Sequence, residues 1–190
     1  NCEANEYYSK SDHEAFRAFL KERFGTLDNL NEKMGTIFWS QTYTDWDQIH
    51  LARRSTAGTG LANPHMQLEQ VRFISHSAVH YLALQASIVR ETARDRFITT
   101  NGIFGNLDYQ KLMESGVDFI MYDSYPNFAY AMDRPDGGEG DLKDRNFSFN
   151  LARTRAISPL FGIMEQQAGP GGWNFRIHQA SPKPGQLRLW

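Results

Sequence analysis

The stretch "VDFIMYDSYP", residues 117–126, decides the fold. Phe119 to Tyr122 is an unbroken apolar and aromatic run, and Asp123, Ser124 and Tyr125 follow before Pro126 closes the segment. A strand with so little alternation is buried on both faces, as parallel strands under helices are. Upstream, "RFITTN" (96–101) has β-branched and aromatic strand character; downstream, "PLFGIME" (159–165) reads as a third, buried strand. Between the three strands stand two helical segments, "DYQKLMESG" (108–116), stopped by Gly116, and "RNFSFNLARTRAI" (145–157). The order β-α-β-α-β predicts a parallel sheet covered by helices.

A doubly wound sheet and a (β/α)8 barrel both satisfy that order, and the strand ends separate them. "TTN", "YDSYP" and "MEQQAGP" each put polar or aromatic side chains directly after the apolar run. In a barrel such ends converge on one mouth, where catalytic groups lie. No glycine-rich phosphate loop follows any of the strands, so the nucleotide-binding sheet lacks its marker. A complete barrel takes about 250 residues, so the expected fold is α/β, a partial TIM barrel.

Ahead of the strands, residues 13–24 space Phe16, Phe19, Leu20 and Phe24 as one face of a short helix ending at Gly25, and 26–35 predicts a second. The aromatic-rich segment 36–49 has no clean period and reads as a structured loop. Residues 53–64 read as a surface connection, 64–93 as the longest helix, and 134–144 as a polar loop.

Composition narrows the class. The chain has 190 residues, 41% hydrophobic and 13% aromatic, with a net charge of -2 and no run of one sign. That excludes a disordered chain and gives no footing to nucleic acid or an anionic membrane surface. No apolar run reaches the roughly 18 residues of a membrane helix, so no membrane association is expected. The start, "NCEANEYYSKSD", has no leader-like pattern; since it opens without Met, residues upstream of Asn1 are expected. The single cysteine, Cys2, excludes an internal disulfide and a cysteine-rich zinc site. Among six histidines only His76 and His80 share a helical spacing, too little for a metal site.

The chemistry concentrates on Glu165, an ionisable group standing where the apolar run Leu160 to Met164 has just ended. Such a carboxylate must be hydrogen-bonded, paired or shifted in pKa. Gln166, Gln167 and, farther on, Trp173 are its neighbours. A carboxylate at a mouth lined by aromatic platforms is what retaining glycoside hydrolysis requires; a strand-end Glu that caps a loop or pairs with an Arg is the plainer alternative. Asn101 is placed to bond a sugar hydroxyl or to cap its loop. Asp123 and Tyr125 stand at the next strand mouth, where a Tyr stacks on substrate or orients a carboxylate, or simply packs before Pro126. Trp39 lines a pocket or a subunit contact, and Trp46 belongs to the loop core.

Taken in order, "GTIFWSQTYTDWDQI", "RFITTN", "DFIMYDSYP", "MEQQAGPGGW" and "SPKPGQLRLW" resemble glycoside hydrolase family 42, the β-galactosidases with a catalytic TIM barrel. The resemblance runs from about residue 13 to residue 190, and implies that residues 1–190 are an incomplete catalytic barrel domain holding roughly strands 5 to 7. By it Glu165 matches the nucleophile at the end of the seventh strand, and Trp173 the tryptophan of the galactose subsite. The family's general acid lies in an Asn-Glu-Tyr type motif, which "ANEYY" (4–8) offers at Glu6. The preceding "NCEA" is not a buried strand, however, and the family register counted back puts the zinc-loop segment on "YYSKSD". The acid is therefore expected just upstream of Asn1. Tyr7, Ser9 and Asp12 stand where zinc-binding members carry cysteines, so no zinc is expected.

The function so implied is hydrolysis of terminal β-D-galactosyl residues with retention, on a β-galactoside substrate and without cofactor. The resemblance also implies a homotrimer for the full-length enzyme and, with the single cysteine, a cytoplasmic location. Two rivals stand beside it: a related barrel glycosidase acting on another β-linked sugar, and an inert or merely carbohydrate-binding fragment that lacks the acid.

Overall fold

A computed structural model describes residues 7–52, 63–102, 105–125, 128–130, 144–169, 171–173, 177–179 and 184–189. Two compact units divide the chain: residues 1–84 with 104–108, and residues 85–103 with 109–190.

The first unit is helical. Helix α1 (Lys10–Phe24) begins three residues earlier than its apolar periodicity predicts, because Ser9 and Asp12 form a reciprocal capping box. Two of the three positions read as vacated zinc ligands thus serve as a helix cap. Helix α2 (Leu27–Met34) is capped by Thr26 and ends at Gly35, whose φ of 61° is left-handed. The long helix α3 (Pro64–Thr92) starts as the sequence predicts. The Asn-Pro pair that ends the surface connection caps this helix: Asn63 Oδ1 accepts from the His65 and Met66 N–H groups, and Pro64 takes the first helical position. The aromatic segment is indeed structured, as two 3-10 turns, Phe38–Ser40 and Trp46–Gln48. Asn31 pins it, with Oδ1 accepting from Tyr43 N at 2.9 Å and Thr36 Oγ1 at 2.7 Å.

Phe16, Leu20, Leu30, Met34, Ile49, Leu51, Met66 and Phe73 form one buried cluster in this unit. Beside it Glu69, its side chain 4% exposed, is held by Arg23 at 2.7 Å and by Arg72. A buried carboxylate needs such pairing.

The second unit carries the parallel sheet. Strands β1 (Thr99–Gly102), β2 (Phe119–Ser124) and β4 (Phe161–Gln166) lie in the order β1-β2-β4, all parallel. Helix α4 (Tyr109–Glu114) connects the first pair and α5 (Asp144–Ile157) the second. Two successive β-α-β crossovers between adjacent strands are the repeat of a barrel and lack the strand-order reversal that marks a doubly wound sheet. Buried Tyr109, Leu112, Val117 and Ile120 make its core. Gly102 is required by close approach, since a Cβ there would stand 2.5 Å from Ile120 Cγ2. At the strand entrance Asp118 accepts from Ile98 N at 2.6 Å and from Arg90 at 2.9 Å. These donors hold its carboxyl below the usual range.

The expectation of a buried strand holds for β2 and needs correction for β4. Ile120 is fully buried, whereas Ile163 is 39% and Met164 46% exposed. Strand β4 has a strand neighbour on one side only among the described residues, and burial on both faces belongs to a flanked strand.

A second sheet was not foreseen. Strands β3 (Phe128–Tyr130), β5 (Gly171–Trp173) and β6 (Ile177–Gln179) pair antiparallel in the order β3-β6-β5. The Gly/Pro-rich stretch behind Glu165 thus contains a strand. Among the described residues no helix is long and apolar enough to cross a membrane. Glu6, most of the connection 53–64 and nearly all of the loop 134–144 lie outside the described residues.

Candidate active site

The C-terminal ends of the three parallel strands carry Asn101, Asp123 and Glu165. Register brings the carboxylates together. Met121 pairs with Gly162 and Tyr122 with Ile163, but Asp123 pairs with Glu165, leaving Met164 as an extra residue in a β-bulge. In an unbroken ladder Met164 would stand beside Asp123, and Glu165 would fall in line with Ser124 on the opposite face. The bulge returns Glu165 to the face shared by Met121 and Asp123, a known use of such irregularities. Gly162 leaves room below: a Cβ there would meet Met121 Cε at 2.8 Å.

Two hydrogen bonds define this face. Tyr125 donates its hydroxyl to Glu165 Oε2 at 2.6 Å, and Asn101 donates Nδ2 to Asp123 Oδ2 at 2.7 Å. The bond to Glu165, with burial and the charges of Glu165 and Asp123, pushes the Tyr125 hydroxyl up to about 12, so it remains a donor at neutral pH. Burial first, then the charge of Glu165, raises the Asp123 carboxyl above the usual carboxylate range, against the bond from Asn101. Asp123 Oδ1 is buried and has no hydrogen-bond partner among the described residues. Beyond Glu165 the chain is tied back to β2, where Gln167 N donates to Ser124 O at 2.9 Å. The Gln166 and Gln167 amides donate to the Gln167 and Gly169 carbonyls.

Four of the residues singled out from sequence therefore meet: Asn101, Asp123, Tyr125 and Glu165. Trp173 stands in β5 with its backbone opposite Ile177. Trp39 belongs to the first unit, where it is 66% exposed, stacks on Phe38 at 4.9 Å between centroids and has a left-handed φ of 53°. Met164 is the position that sequence reasoning missed. Its only signal was negative, since strict alternation along "FGIME" sets Glu165 on the Phe161 face. Among the described residues no three His, Cys, Asp or Glu side chains are gathered to hold a metal ion.

Parallel strands joined by helices, with two carboxyl groups and a tyrosine collected at their C-terminal ends, form part of the mouth of a (β/α)8 barrel. The family model for β-galactosidases of glycoside hydrolase family 42 matches residues 1–190, and the chain belongs to that family. It is 37% identical over 192 residues to β-galactosidase BgaA of Thermus sp, covering 96% of this chain and 29% of that protein. With BgaA of Clostridium cellulovorans it shares 36% identity over 177 residues, covering 92% of this chain and 25% of the relative. The crystal structure of the β-galactosidase from the psychrophilic Marinomonas ef1 matches 98% of the chain with a TM-score of 0.79 at 30% identity. The polyextremophilic enzyme of the haloarchaeon Halorubrum lacusprofundi matches 99% with a TM-score of 0.79 at 33% identity. These two matches span 29% and 28% of the solved chains.

Proposed function

We propose that the chain is the nucleophile-bearing part of a retaining β-galactosidase, and that Glu165 is the nucleophile. The observation that carries this reading is the 2.6 Å bond from Tyr125 to Glu165 Oε2, at the end of a parallel strand, in a chain of this family. The bond fixes one carboxylate oxygen and leaves Oε1 to attack. Glu165 attacks the anomeric carbon and forms a covalent galactosyl ester, while an acid about 5 Å away gives its proton to the departing oxygen. The same residue then takes a proton from water, which attacks the anomeric carbon and releases galactose with retained configuration.

We place that acid upstream of Asn1 rather than at Glu6, so the 190 residues by themselves would not turn over. Trp173 supplies an apolar wall to the galactose subsite in this reading. In the full-length enzyme Glu165→Gln should abolish hydrolysis of a nitrophenyl β-galactoside and leave galactose binding largely intact. Preserved turnover would overturn the assignment, and a panel of nitrophenyl glycosides checks the sugar.

A further inference from the structure

Resting on that reading of Glu165, the geometry points to Asp123 as a positioning residue: a second carboxyl, anchored by Asn101 and set beside the nucleophile by the bulge at Met164, whose protonation state acts on Glu165 and on its bond to Tyr125. Three observations support it. The register makes Asp123 and Glu165 direct neighbours on one face of adjacent strands. Asn101 occupies one Asp123 oxygen at 2.7 Å, while the other is buried with no acceptor or donor among the described residues. And Tyr125 donates to Glu165, not to Asp123, at 2.6 Å. The two carboxyls are thus treated unequally by their surroundings. Glu165 is exposed and receives a hydroxyl donor; Asp123 is half-buried and, among the described residues, receives a neutral amide.

Two like charges side by side on one face repel, and the buried member is the one that avoids charging. Among the described residues, burial and then Glu165 on β4 raise the Asp123 carboxyl and Asn101 on β1 lowers it; Tyr125 at the end of β2 feels both carboxyls. While Asp123 is protonated, no second charge faces Glu165 from β2. When Asp123 also ionises, the second charge pushes on Glu165 and on its bond to Tyr125, and the attacking geometry loosens.

The test is the pH dependence of kcat/KM in the full-length enzyme with a nitrophenyl β-galactoside, for wild type, Asp123→Asn, Asn101→Ala and Glu165→Gln. Asp123→Asn mimics the protonated carboxyl, so it should lower kcat modestly, by about threefold to tenfold, and remove one ionisation from the profile. Asn101→Ala removes the bond that favours the charged form, so that same ionisation should move to higher pH. Profiles of unchanged shape, scaled down equally at every pH, would assign Asp123 a merely structural role and overturn the inference. So would a large loss in Asp123→Asn that a dinitrophenyl leaving group restores, because Asp123 would then be the general acid. Turnover surviving in Glu165→Gln would instead remove the nucleophile assignment itself, a failure distinct from the other two.

Discussion

The helical unit and the strand unit of this chain solve different problems. In the first, Phe16, Leu20, Leu30 and Ile49 are fully buried in one cluster, and the buried carboxylate Glu69 is met by two arginines. In the second, the central strand is buried, but Asp123 Oδ1 and Ser124 Oγ are buried without partners among the described residues, and two carboxyls stand side by side. Buried polar groups left unmatched are rare, and where they cluster they mark a site that does something other than hold the fold together. The difference fits a stabilising role for one region and the proposed chemistry for the other.

Substitutions that probe this contrast should separate cleanly. Phe16→Ala should destabilise the protein by about 3–5 kcal/mol, read by denaturant unfolding, with kcat per folded molecule unchanged; a fall in kcat would break the separation. Tyr125→Phe should do the reverse. Losing the donor to Glu165 should lower kcat by about 10²-fold with no change in melting temperature. Gly102→Ala falls between, because its Cβ would run into Ile120 Cγ2 and approach Tyr109; about 1–3 kcal/mol of destabilisation is expected. Gly162→Ala should cost less, since the atom in its way is the tip of a flexible methionine.

The smallest effect concerns pH. Asp118, donated to by Ile98 N and Arg90, has a folded pKa below its unfolded one, so its contribution is present above the unfolded value of about 3.9 and is lost as pH falls through the folded value. Melting temperatures of wild type and Asp118→Asn should therefore differ at neutral pH and converge in acid. A constant difference down to acid pH would show that the ion pair is not its source.

Much of this was legible in residue order. Helix periodicity marked α1, α2 and α3, and apolar runs marked β2 and β4, because both patterns are local consequences of which face is buried; β1 was marked by β-branched and aromatic character alone. Glu165, Tyr125, Asp123 and Asn101 stood out by standing at strand ends. Three things were not local. The bulge at Met164 exists only relative to the ladder of β2, and "FGIME" alone cannot show it. The unequal burial of Ile120 and Ile163 depends on how many strands flank each. The antiparallel sheet is built from "FAY", "GGW" and "IHQ", segments too short, and in one case too glycine-rich, to carry a strand pattern alone.

That small sheet has a consequence for anyone transplanting parts between related barrels. The segment after Tyr125 and the segment after Glu165 share one partner strand, Ile177–Gln179, by backbone pairing on both its edges. A graft that lengthens or swaps either segment alone must break a register that the other maintains. Phe128–Tyr130, Gly171–Trp173 and Ile177–Gln179 therefore form one indivisible cassette for exchange, although nearly fifty residues separate its first strand from its last.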